Sequence, residues 1–127
     1  MAWTRQDVTD ALRESRHADL NGANLQGVDL RSLDLGGADL SHARLDGADL
    51  SGSDLRGAVL FGVKAPGALL RGADLRRAVL IAADLSGCDL RDARLEGADL
   101  SGTDLTHART DPDLDTDARG AIRRTDP

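Results

Sequence analysis

Every fifth residue from Leu20 to Leu105 is leucine, with Ala65 the one departure. Two positions before these eighteen centres, twelve residues are Ala, and the others are Val28, Leu33, Ser53, Val63, Cys88 and Thr103. The position between is Asp or Asn in twelve units, and the second position after the centre is Gly in twelve. An amphipathic helix requires an apolar period near 3.6 and a strand a period of 2, so a period of five fits neither. It fits a short extended segment followed by a corner. In such a segment the small residue and the centre face inward and the acidic residue between them faces water. Two further residues then turn the chain, and Gly suits the corner because it accepts positive φ. No single unit can bury its own leucine. Coils must stack, covering leucine with leucine and pairing backbone with backbone.

The units ADLNG, ANLQG, ADLSH, ADLSG, ADLRR and TDLTH carry a resemblance to the pentapeptide-repeat family, whose consensus runs Ala-Asp/Asn-Leu-any-any. The resemblance extends over about residues 18–109. It implies an all-β solenoid, a right-handed quadrilateral parallel β-helix with four units, hence 20 residues, per coil. Eighteen units then make about 4.5 coils, a rod ~22 Å long at ~4.8 Å per coil. Leu20, Leu40, Leu60, Leu80 and Leu100 form one column of its core. The expected organisation is a capping helix over 1–16, the solenoid over 17–110, and a C-terminal cap or tail over 111–127.

An open stack of strands needs its ends covered. Thr4 reads as a helix N-cap with Asp7 at the capping-box position, and Trp3 and Val8 stand where a hydrophobic staple would. Val8, Ala11 and Leu12 give the helix one apolar face for the first coil. In the tail, Leu114, Ala118 and Ile122 recur every four residues. Asp113, Asp115 and Asp117 precede Arg123 and Arg124, as a helix dipole prefers. Gly120 weakens that pattern; a short C-terminal helix is favoured over a frayed tail, with Pro127 outside it. At Ala65-Pro66 a slightly underfilled core layer is favoured over a deliberate kink.

Aromatic residues are 2% of the chain, so Leu and Ala must fill the interior. A net charge of -6 disfavours direct binding to nucleic acid. No apolar run is long enough to span a membrane. The N-terminal MAWTRQDVTDALRE lacks an apolar signal core, so a cytoplasmic protein is expected. Cys88 has no partner for a disulfide, and its inward position makes it a buried, inert thiol. His42 and His107 fall on different faces, about three coils apart, and cannot share a metal or a proton relay. The glycines follow the corner period and form no phosphate loop. No catalytic, metal or cofactor site is expected, and the chain reads as a non-enzyme.

Function then belongs to the outward faces. Val59, Phe61, Val79 and Ile81 occupy outward positions on adjacent coils of one face, where Asp and polar residues usually stand. They predict an exposed apolar patch of a few hundred Å². It suits contact with a protein partner of unknown identity, or a homodimer. The bland reading is that they are tolerated ladder residues. Asp34, Asp54 and Asp74 stack as an acidic ladder. Some quinolone-resistance members of the family protect DNA gyrase and are thought to mimic DNA, which the resemblance offers as an alternative role for the ladder. Arg56, Arg76 and Arg77 beside it favour an ordinary solvated face. The leading reading is a rigid interaction module. The alternatives are the gyrase-binding mimic and a self-associating structural repeat with no dedicated partner.

Overall fold

The computed structural model describes residues 1–15, 17–112, 114–116 and 122–124. From Asp19↔Asp39 to Asp89↔Arg109, parallel bridges join residues 20 apart, so each coil holds four five-residue units. The unit around Leu40 shows how the backbone is satisfied. The Asp39 amide donates to Ala18 O on the coil before (3.0 Å), and those of Leu40 and His42 donate to Val59 O (2.7 Å) and Phe61 O (2.9 Å) on the coil after. The Ala43 amide closes the corner onto Leu40 O at 3.0 Å. That leaves the Ser41 amide, and the Asp39 carboxylate accepts it at 2.9 Å.

This fifth bond explains the acidic residue of the repeat. All twelve Asp and Asn residues at that position accept the amide two residues on, at 2.9–3.3 Å. They face outward, as the strand alternation predicts, but they bend back to cap the one amide that the coil ladder misses. Lys64 stands at the same position before Pro66, which has no amide to cap. The corner residue after that amide has φ between 57° and 75° in every unit. Six of these eighteen are not glycine: Ser32, His42, Arg77, Ala82, Asp92 and His107. Hydrogen bonding to neighbouring coils, as from His42 N to Phe61 O and Ala82 N to Ser101 O, holds them in a conformation that L-residues otherwise avoid.

Leucines fill the interior. Leu20, Leu40, Leu60, Leu80 and Leu100 are each at most 3% exposed. At the Ala65 layer the sizes are exchanged, with Val63 in the small position and Ala65 at the centre. The void left there is about 10 Å³, at or below the room one water needs. The ladder continues through it: Lys64 N donates to Ala43 O and Ala65 N to Asp84 O, both at 2.9 Å. The layer is therefore slightly underfilled and the coil path is unbroken.

The N-terminal helix α1 spans Arg5–Glu14. Thr4 and Asp7 form the expected reciprocal capping box, with Thr4 N donating to Asp7 Oδ2 at 2.8 Å and Asp7 N to Thr4 Oγ1 at 3.2 Å. Val8 is fully buried and closes the first coil, with Trp3, Ala11 and Leu12 packed beside it. Arg5 Nη1 donates to the carbonyls of Asp29 (3.0 Å) and Arg31 (3.1 Å), pinning the helix to the coil.

The favoured C-terminal helix is a correction. Leu114–Thr116 (β1) and Ile122–Arg124 (β2) are strands, paired antiparallel as Leu114↔Arg124, Asp115↔Arg123 and Thr116↔Ile122. Gly120 is costly inside a helix. Leu114 still reaches the core. Asp113, Asp117, Ala118, Gly120 and Pro127, on which the helical reading also drew, lie outside the described residues.

Candidate interaction surface

Val59 and Val79 bridge one another in parallel on adjacent coils. The hydrogen bonds Leu60 N to Val79 O (2.7 Å) and Gly62 N to Ile81 O (2.9 Å) carry Phe61 and Ile81 alongside them. The four residues are thus brought together as their spacing predicts. They are less open than expected, because packing along the column shields Val59, Val79 and Ile81 to half-burial. Phe61 stands out at 42% exposure. Its ring meets the His42 imidazole edge-on, with centroids 5.6 Å apart and planes at 78°. The absence of a side chain at Gly62 makes room for that imidazole; a Cβ there would lie 2.9 Å from Nδ1. His42 therefore belongs to the patch, although its sequence signal, a position twenty before Gly62, is easily overlooked.

Val59 and Val79 replace the capping Asp, and a valine cannot accept a hydrogen bond. Accordingly the amides of Phe61 and Ile81 find no acceptor among the described residues. Around this centre the face is acidic. Its five units, 18–22, 38–42, 58–62, 78–82 and 98–102, contain Asp19, Asp39 and Asp99 but no Lys or Arg. Each of the other three columns of units carries at least two cations. Arg77, at the corner before Val79, leans over Gly97. The Asp39 carboxyl is held below its ordinary pKa mainly by the backbone and hydroxyl of Ser41. Ser101 does the same for Asp99, its hydroxyl donating at 2.6 Å.

The acidic ladder looks different at atomic detail. Asp34, Asp54 and Asp74 are bridged in series. Arg56 grips Asp54 with Nε and Nη2 (3.0 and 2.7 Å), and Arg76 grips Asp74 in the same way (2.9 and 2.7 Å). Arg56 Nε also approaches Asp74 at 3.8 Å. These guanidinium bonds, more than the backbone caps, lower the carboxyl pKa of Asp54 and Asp74. The same two-point grip recurs wherever Asp-Leu-Arg occurs, at 29–31, 54–56, 74–76 and 89–91. Alternation predicts it, since residues two apart point to the same side.

Leu69, 43% exposed, is a second outward apolar residue that the patch reasoning missed. It takes the capping position on another column, between Asp49 and Asp89, and is isolated from the patch. Cys88 is buried and donates its S–H to Ala65 O at 2.9 Å; burial pushes the thiol up to about 11. His17 places Nδ1 3.2 Å from Gly37 O, on a different corner from His42. Among the described residues no group of three or more His, Cys, Asp or Glu could hold a metal ion, and no helix is long and apolar enough to cross a membrane.

The model for pentapeptide repeats matches this sequence in overlapping segments from residue 16 to residue 109. The chain belongs to the pentapeptide-repeat family. Pentapeptide repeat protein Rfr23 from the cyanobacterium Cyanothece 51142 is 37% identical, with a TM-score of 0.62 over 75% of this chain and 61% of that one. This chain thus spans less than two thirds of Rfr23. Pentapeptide repeat protein alr5209 from Nostoc Pcc 7120 is 29% identical, with a TM-score of 0.64 over 87% of this chain and 99% of that one. Comparison with curated proteins gives no significant match.

Proposed function

We propose that this pentapeptide-repeat protein is a non-enzymatic interaction module, a rigid solenoid that presents the Val59, Phe61, Val79 and Ile81 face to another protein. The observation that carries the reading is the double substitution of the capping Asp by valine on adjacent coils. It leaves an apolar centre and, side by side on adjacent coils, two amides without acceptors among the described residues. Apolar area together with unspent donors is what a protein partner can cover. The gyrase-binding alternative has less support, because two carboxylates of the Asp34, Asp54 and Asp74 ladder already hold arginines. A lone buried thiol with no disulfide to form suits the cytoplasm.

The test is affinity capture from cell extract by the native chain and by Phe61→Ser with Ile81→Ser, both verified as folded by circular dichroism. At least one protein held by the native chain should be absent from the double variant. Identical sets of captured proteins would sink the proposal.

A further inference from the structure

The charge around the patch narrows its occupant. Resting on the interaction role proposed above, we infer that this face takes a heterologous extended segment with two basic residues flanking an apolar one, and not a second copy of this chain. The apolar centre lies between Asp39 and Asp99 along the rod, with Asp19 beyond, and none of its units supplies a Lys or Arg. Two copies could meet here only by a two-fold operation. With the valine pairs in register, parallel rods would set Asp39 against Asp39 and Asp99 against Asp99. Antiparallel rods would set Asp39 against Asp99. Either way carboxylate faces carboxylate across the contact, and like charges so placed reject a partner. Lys or Arg in those places would instead meet at each end a carboxylate that caps its own coil but has no Lys or Arg in its column of units.

Spacing sharpens the match. Asp39 and Asp99 lie three coils apart, about 14 Å at ~4.8 Å per coil. An extended chain rises about 3.4 Å per residue, so four residues cover the distance. Residues i, i+2 and i+4 of a strand share one side. The segment therefore carries basic residues at i and i+4 and a large apolar residue at i+2, seated on Val59, Phe61, Val79 and Ile81. Its backbone oxygens can accept the amides of Phe61 and Ile81.

A random peptide library displayed on phage and panned on the full chain tests this. Three targets are compared: native, Phe61→Ser with Ile81→Ser, and Asp39→Asn with Asp99→Asn. The asparagine pair removes charge but keeps the caps, since Asn24 natively accepts the Gln26 amide at 3.3 Å. Clones held by the native chain and lost on the serine variant should carry the basic–apolar–basic pattern. They should bind the asparagine variant about five- to tenfold more weakly, and the native chain more weakly in high salt. Patch-dependent clones that lack bases, or ignore the asparagine pair, would overturn this inference and leave the interaction role standing. So would a native dimer in sedimentation that the serine pair dissociates. An absence of patch-dependent clones would remove both.

Discussion

Two faces of this solenoid use the same five-residue unit to opposite ends. On the face of Asp34, Asp54 and Asp74, every carboxylate caps a backbone amide, and Asp54 and Asp74 also hold an arginine. On the face of Val59, Phe61, Val79 and Ile81, the cap is missing from two successive coils and the amides of Phe61 and Ile81 have no acceptor among the described residues. A column of carboxylates resembles a ligand site, yet here its chemistry is consumed in holding the chain. The less conspicuous valines leave the surface with something to offer. Charge alone is thus a poor guide to function in such a fold, and unspent hydrogen-bonding capacity is a better one.

The comparison can be broken at several levels. Leu50→Asp strikes the core that both faces share, placing an unpaired charge where the native side chain is 1% exposed. A loss of about 3–5 kcal/mol or more is expected in urea unfolding; native-like stability would contradict the stack itself. Acid should weaken the caps together. Asp39, Asp54, Asp74, Asp89, Asp99 and Asp104 all have carboxyl pKa values below the ordinary one, Asp89 reaching about 2 through its hydrogen bonds from Arg91. Because the folded values are the depressed ones, this stability is present above the unfolded pKa of about 4 and is lost as pH falls toward about 2. The melting temperature should hold from neutrality to about pH 5 and then decline steadily. A flat profile down to pH 2 would mean that the caps contribute nothing.

Single positions separate the faces. Asp74→Ala removes both a cap and the seat of Arg76, and should cost about 1–2 kcal/mol. Phe61→Ser, at a ring already open to water, should cost about 1 kcal/mol or less while abolishing partner capture. A reversal of that order would erase the distinction between a committed face and an available one.

Much of this was legible before any coordinates. A period of five with a leucine centre implies stacked coils, and Thr4 with Asp7 announces a capped helix. The resemblance supplied the twenty-residue coil, from which the meeting of Val59 with Val79 follows by counting. The role of the outward Asp was harder to see. Alternation says only that it faces water; that it caps an amide depends on which of the five N–H groups the ladder leaves over, a property of the backbone path. Lys64 before Pro66 is consistent with that role, since no amide exists there to be capped. The tail misled because Leu114 and Ile122 suit one face of a helix and opposite strands of a hairpin equally well. Leu69 escaped notice because it has no apolar neighbour twenty residues away.

Asp49 tests the capping account most directly, because its Oδ1 receives the Ser51 amide at 3.0 Å while Arg31, the arginine beside it among the described residues, stands 3.8 Å off. The measurement is the unfolding free energy of Asp49→Ala against Asp49→Asn in urea. The alanine variant should lose about 1 kcal/mol and the asparagine variant only a small part of that. An alanine variant as stable as the native chain, or an asparagine variant equally damaged, would show that the repeat's acidic residue does not serve the backbone.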